Sequence, residues 1–251
     1  NPAGLMGTKG LSLMANLTLV TGAIQSTPGG SNPNEESESL LAMAPLVGVN
    51  HLWGLAPLLA LSFLAVFAVL SWHAFARLGV AAPLTTDPAR IRAAARVVLP
   101  GVGAAARAMQ RLRETALDQL VPRLTQPVLG ICVGMQVLYE GSDEGDAPGL
   151  GVFAGRLARI AAAPGVRVPH MGWNQLLPRH AAPLLAGFGA ADHAYFVHSY
   201  AAPVDAHTVA AFEHGARYCA VVSRGNFHGA QFHPERSAAT GARLLANFLA
   251  L

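Results

Sequence analysis

The chain has 251 residues, enough to bury a sizeable core; 52% are hydrophobic and only 12% charged. That balance excludes a disordered chain, a coiled coil and a collagen-like repeat. Two cysteines are too few for a disulfide framework or a structural zinc site, and the net charge of +3 comes from scattered arginines, with Lys9 the sole lysine, so nothing marks a nucleic-acid surface.

Up to about residue 50 the periodicity is weak. Residues 25–39 are rich in Pro, Gly, Ser and Asn and read as an exposed linker. Residues 52–72 follow, 21 positions without a charge and with Trp53 and Trp72 near the two ends. That is the length and flanking of a membrane-spanning helix, although Gly54 and Pro57 weaken its first half. Two readings stay open: a membrane anchor, or sequence foreign to the fold that follows.

From about His73 the texture becomes that of an α/β domain, dividing the chain into an atypical segment (1–72) and a domain (73–251). Strand-length apolar runs at 96–100 and 127–131 alternate with helical patterns at 104–120 and 134–140, the rhythm of a largely parallel sheet flanked by helices. Further strands are expected at 151–160, 193–201, 208–214, 218–222 and 227–232. The last helix, 237–251, gathers Leu244, Leu245, Phe248 and Leu249 on one face.

The most informative stretch is Pro127-Val-Leu-Gly-Ile-Cys-Val-Gly-Met-Gln136. An apolar strand runs into Cys132 and a helix begins at once, with Gly130 and Gly134 two positions to either side. This is a nucleophile-elbow pattern with sulfur in place of oxygen. It presents the sulfur at the open carboxyl end of the strand, where a helix N-terminus favours a thiolate and a following backbone amide can meet an oxyanion. A nucleophile needs a base, and the base needs an orienting group. Gln231-Phe-His-Pro-Glu235 supplies both: in extended chain His233 and Glu235 project to one side, so the carboxylate can hold one ring nitrogen while the other faces Cys132. Cys219, in an apolar strand, reads as a buried thiol, and His198 and His228 as structural.

Gly-Ile-Cys-Val-Gly-Met-Gln and Gln-Phe-His-Pro-Glu-Arg-Ser resemble the two catalytic motifs of class I, triad-type glutamine amidotransferases. Leu99-Pro-Gly-Val-Gly103, Val168-Pro-His-Met-Gly-Trp-Asn174 and Tyr195-Phe-Val-His-Ser-Tyr200 are similar, more narrowly, to the glutaminase subunits of imidazole glycerol phosphate synthases. The resemblance covers about residues 73–251 and implies a flavodoxin-like, mostly parallel sheet. It implies glutamine amide hydrolysis by Cys132, His233 and Glu235, with an oxyanion hole from Val133 and the Gly101, Val102, Gly103 loop. It further implies a glutamine pocket with Gln136, Glu144, Ser199 and Tyr200, and a partner-facing loop with His170, Met171 and Trp173. The implied partner is the cyclase subunit, whose (β/α)₈ barrel uses the ammonia in histidine biosynthesis in the cytoplasm. No metal or organic cofactor is called for. Alternatives are another triad-type glutaminase feeding a different synthase, or a membrane-anchored, non-catalytic binding protein on this scaffold.

The departure is at the front. The family begins with a strand followed by an Asp-Tyr-Gly-x-Gly-Asn segment, and no such segment occurs here. Residues 16–21 are the expected substitute strand, and residues 71–80 resemble the end of the family's first helix.

Overall fold

The computed structural model describes residues 11–14 and 70–251. Its main sheet is built on Arg96–Gly101 (β3), Val128–Cys132 (β4) and Phe227–Ala230 (β14). Such short runs, apolar on both faces, suit strands covered on both sides, and every residue of β4 and β14 is buried. Both β3 and β14 pair with β4 in parallel. Beyond β3 the sheet continues in parallel through Leu11–Met14 (β1) to Leu84–Thr85 (β2). Beyond β14 it turns antiparallel through Ala216–Arg224 (β13), Thr208–His214 (β12) and Leu177–Pro178 (β9). The order is therefore β2-β1-β3-β4-β14-β13-β12-β9, so the expected parallel sheet forms one half of a mixed one.

Two smaller sheets complete the α/β architecture. One has Tyr139–Ser142 (β5) between Ala147–Pro148 (β6) and Phe153–Arg159 (β7), with Tyr200–Ala201 (β11) beyond β7. The other is an antiparallel ribbon of His170–Gln175 (β8) and His193–His198 (β10). Helices comprise residues 70–77 (α1), Pro88–Ala93 (α2), Ala105–Glu114 (α3), Leu117–Leu120 (α4), Val133–Gln136 (α5) and Ala238–Ala250 (α6). As the apolar stripe predicts, α6 buries Leu244, Leu245, Phe248 and Leu249.

Three local expectations change. The helix expected over 104–120 breaks at Ala116, whose φ of +55° is left-handed, and becomes α3 and α4. The helix expected over 134–140 stops after one turn, because Tyr139 enters the core as part of β5 and its carbonyl oxygen, like that of Val137, is taken by the chain returning at Gly151 and Leu150. The strand expected over 193–201 divides into β10 and β11, which join different sheets.

At the front, β1 lies between β2 and β3, so a strand from residues 11–14 fills a sheet position that the sequence assigns to 16–21. Residues 16–21, the linker at 25–39 and positions 52–69 of the apolar run lie outside the described residues. Positions 70–72 of that run are helical, continuous with 73–77. The division at 72/73 thus falls within α1, and β1 joins the sheet of the following domain. Among the described residues no helix is long and apolar enough to cross a membrane.

The elbow helix packs so closely on the neighbouring strands that glycine is obligatory. A Cβ on Gly134 would lie 1.7 Å from the Leu99 carbonyl oxygen, and one on Gly130 would lie 2.5 Å from the Gly134 oxygen. Gly134→Ala should therefore destabilise the chain by more than about 3 kcal/mol, or abolish folding, in urea denaturation. Gly151→Ala, at φ +67° but with open space around it, should cost only the left-handed strain of about 1–2 kcal/mol. Equal losses at the two positions would contradict this packing.

Candidate active site

The site lies at the carboxyl ends of the parallel strands, where ligands of open α/β sheets gather. In register, Gly101 at the end of β3 is paired with Cys132 at the end of β4, and Ala230 with Ile131. Cys132 has φ +52° and ψ −112°, a conformation that costs a non-glycine residue about 1–3 kcal/mol and persists only where packing imposes it. Here the strand must reverse into α5 within one residue, and Gly130, Gly134 and Gly101 let the backbones meet. A Cβ on Gly101 would sit 2.6 Å from the Gly134 nitrogen, which places the Gly101–Gly103 loop directly against the start of α5. Gly103 has φ +86°, so the loop can turn in a way few other residues permit.

His233 and Glu235 come together as expected. Pro234 begins a short 3-10 turn after β14, and His233 Nδ1 donates to Glu235 Oε1 at 2.8 Å with both side chains almost wholly buried. The backbone is clamped: His233 N donates to the Tyr195 carbonyl at 3.0 Å, and Ser237 Oγ donates to the His233 carbonyl at 2.7 Å. With Nδ1 committed to Glu235, Nε2 is the nitrogen left for Cys132. Burial opposes the imidazolium, but charge and hydrogen-bond interactions with Cys132, then Glu235, outweigh it and push the His233 pKa up to about 10. The geometry is that of a sulfur, an imidazole and a carboxylate in sequence, capable of nucleophilic attack with proton transfer.

The sulfur is less open than the elbow pattern suggests. Cys132 and Cys219 are both buried, and what separates them is surroundings. Cys219 faces the Tyr139 hydroxyl at 3.7 Å within the core, where burial pushes its thiol up to about 12. Cys132 Sγ lies 3.9 Å from the Val197 carbonyl oxygen and 3.7 Å from Gln231 Nε2.

Other expected site residues divide. Gln136 and Tyr200 are brought together: Gln136 Nε2 donates to the Tyr200 carbonyl at 3.2 Å and to Gln231 Oε1 at 3.1 Å. Half-buried Ser199 sits beside Tyr200, its carbonyl accepting from Ile160 N at 2.9 Å. Val133 is the first residue of α5, so its amide N–H stands at the turn itself. Glu144 accepts from the Ala105 backbone N–H at 2.8 Å and so caps α3, which lacks a side-chain cap of its own. That contact ties the acidic loop to the helix that follows Gly103.

The partner-facing set splits on one strand. Met171 and Trp173 are 65% and 55% exposed, but His170 is a correction: its ring is buried, stacked against Phe212, Phe196 and His214. Strand alternation accounts for the split: Met171 and Trp173 share the outer face of β8, and His170 points to the opposite face, against the core. Asn174 Nδ2 donates to its Nε2 at 3.2 Å, its Nδ1 donates to His198 Nε2 at 3.3 Å, and His198 Nδ1 donates to the Tyr200 carbonyl at 2.8 Å. One proton per ring satisfies the chain; burial pushes the pKa values of His170 and His198 down to about 4 and about 3. Among the described residues no cluster of His, Cys, Asp or Glu could hold a metal ion.

Gln231 is the site residue that sequence reasoning missed. The signal was available: the same two-residue spacing that joins His233 to Glu235 places Gln231 on the His233 side of the chain.

The glutamine amidotransferase class-I family matches residues 73–251. Among similar proteins, the imidazole glycerol phosphate synthase subunit HisH of Xylella fastidiosa (strain Temecula1 / ATCC 700964) is 54% identical over 177 residues, covering 70% of this chain and 88% of that protein. The HisH subunit of Xanthomonas axonopodis pv. citri (strain 306) is 55% identical over 177 residues with the same coverage. Among solved structures, one described as a glutamine amidotransferase aligns with a TM-score of 0.58 at 20% identity, covering 73% of this chain and 92% of that one. A putative GMP synthase component from Thermoplasma acidophilum aligns with a TM-score of 0.54 at 15% identity, covering 97% of this chain and 93% of that one. These two likenesses concern the fold alone.

The raised His233 pKa has a sign that can be checked. Because it lies above the usual value of 6.5, the imidazolium contributes stability in full below about pH 6.5, and that contribution is lost as pH rises towards 10. Glu235→Gln removes one anionic partner, so the His233 titration, followed by NMR of histidine-labelled protein, should move down by about one unit or more. An unchanged titration would contradict the assigned pairing.

Proposed function

The chain belongs to the glutamine amidotransferase class-I family, and we propose that it hydrolyses the side-chain amide of L-glutamine and passes the ammonia to the cyclase subunit of an imidazole glycerol phosphate synthase. The observation that carries this reading is the buried 2.8 Å bond from His233 to Glu235, on an imidazole that also pairs with Cys132. In the reaction, Cys132 as thiolate attacks the carboxamide carbon. The oxyanion is held by the Val133 amide and by an amide of the Gly101, Val102, Gly103 loop. His233 delivers its proton to the departing ammonia, leaving a glutamyl thioester, and then takes a proton from the water that hydrolyses it. Glu235 holds the imidazole in orientation throughout. Gln136, Glu144, Ser199 and Tyr200 form the glutamine pocket, Glu144 from the loop it already anchors to α3.

Ammonia released into water would be protonated and lost, so the product is used in a complex. Met171 and Trp173 are the exposed large hydrophobic side chains on the β8–β10 ribbon, and exposed apolar groups of this kind mark an interface. They form the docking face for the barrel, in a cytoplasmic enzyme of histidine biosynthesis. The amidotransferase domain is residues 73–251, completed in its sheet by β1; the missing Asp-Tyr-Gly segment weakens coupling rather than the triad.

Cys132→Ala should abolish glutamine hydrolysis while leaving circular dichroism unchanged, and His233→Ala should lower kcat by about 10²–10⁴-fold. Glu235→Ala should lose less. A glutamine-analogue electrophile should label Cys132 and spare Cys219; labelling of Cys219, or activity without Cys132, would sink the mechanism. Docking is tested separately. Trp173→Ala should lower affinity for the barrel partner by about tenfold or more in titration calorimetry without altering the basal hydrolysis of glutamine. Unchanged affinity would move the docking face elsewhere.

A further inference from the structure

Gln231 is fully buried and stands between the Cys132 sulfur and Gln136. Its orientation follows from a backbone group that has no freedom. The Tyr200 carbonyl can only accept, so the part of Gln136 facing it at 3.2 Å is the NH2. The same nitrogen lies 3.1 Å from the Gln231 side chain, which must turn its oxygen that way. The NH2 of Gln231 therefore faces Cys132 Sγ at 3.7 Å. Amide orientations are assigned from such networks, and this one admits a single assignment.

We propose that Gln231 is a further catalytic residue: its amide N–H donates to Cys132 Sγ and favours the thiolate, while its carbonyl oxygen fixes the Gln136 carboxamide. The inference rests on Cys132 being the nucleophile proposed above. The sulfur has two neutral partners of opposite sense. The Val197 carbonyl, at 3.9 Å, can only accept and so suits the thiol S–H. The Gln231 N–H can only donate on that side and so suits S⁻. When the sulfur proton lies on His233, the first interaction is absent and the second is at its strongest, so the two partners distinguish thiol from thiolate. The titratable groups around this sulfur are His233, with Glu235 behind it, and beyond His233 the neutral His198 of β10. Gln231 adds no charge to them. It also spends both N–H groups of Gln136 on Tyr200 and itself, leaving Gln136 only a carbonyl oxygen with which to meet a bound amino acid.

The test uses the full chain with two near-isosteric variants. Gln231→Glu keeps an acceptor for Gln136 but sets a carboxylate oxygen against the sulfur; Gln231→Met removes both contacts. The pH profile of Cys132 alkylation by iodoacetamide, resolved by peptide mass spectrometry, should move up by about one unit or more in either variant. kcat for glutamine hydrolysis should fall about tenfold or more, and KM should stay within about threefold for Gln231→Glu, whose Gln136 contact survives. A merely structural role would lower the melting temperature and leave the alkylation midpoint in place. A folded variant with an unshifted midpoint and near-normal kcat overturns the proposal. Should neither variant fold, the unmutated chain decides: the Gln231 side-chain amide resonances must follow the Cys132 titration, and their indifference to it overturns the proposal equally. Cys132→Ser separates the two levels. Retained activity there defeats the nucleophile assignment, whereas an inactive Cys132→Ser beside an unshifted Gln231→Glu profile defeats only the inference about Gln231.

Discussion

A one-residue reversal between β4 and α5 sets the geometry of everything around it. The reversal requires Cys132 to hold φ +52°, and it requires the first turn of α5 to rest on the backbone of β3, where a Gly134 Cβ would come within 1.7 Å of the Leu99 oxygen. Side chains are excluded there, so the main chains of two neighbouring strand ends and one helix start are fixed against each other. The sulfur, the Val133 amide and the Gly101–Gly103 loop inherit their relative positions from that contact and not from flexible side chains. This is how a strained residue stays strained: the surrounding backbone leaves it no relaxed alternative.

The second constraint is the removal of water. His233 and Glu235 are about as buried as the core phenylalanines. Carrying charge into such a place is unfavourable unless each charge is matched. Cys132 and Glu235 supply the match from two sides, and that is why burial, acting alone towards a neutral ring, does not prevail in His233 as it does in His170 and His198. The same molecule thus holds one histidine charged and others neutral within a short distance, by partner rather than by depth. Proton transfer then has a direction: the ring nitrogen aimed at sulfur is the mobile one, because the other is anchored to Glu235 at 2.8 Å.

Much of this was legible in the sequence wherever a local rule acted alone. The run 127–136, its flanking glycines and the His233–Glu235 spacing depend only on strand alternation and the steric demands of a tight turn. Apolar runs at 96–100, 208–214 and 227–232 marked the strands found at 96–101, 208–214 and 227–230. What could not be read required a partner distant in the chain. The arrest of the helix after Gln136 is set by residues 149–151 returning onto Tyr139. The inward turn of the His170 ring is decided by Phe196 and Phe212. The place of Leu11–Met14 in the sheet is decided by β2 and β3 flanking it. Gln231 was within reach of the alternation rule, which points backward from His233 as well as forward to Glu235.

The central claim, that the Cys132 sulfur forms the covalent intermediate under the control of the buried His233–Glu235 pair, is open to direct observation. The chain is mixed with glutamine in the presence of the cyclase subunit proposed as its partner, quenched in acid during turnover, digested and analysed by mass spectrometry. A glutamyl adduct confined to the peptide that contains Cys132, and lost on brief treatment with hydroxylamine, is the predicted result. Glutamine consumed with no adduct on that peptide, or an adduct on any other residue, would contradict it.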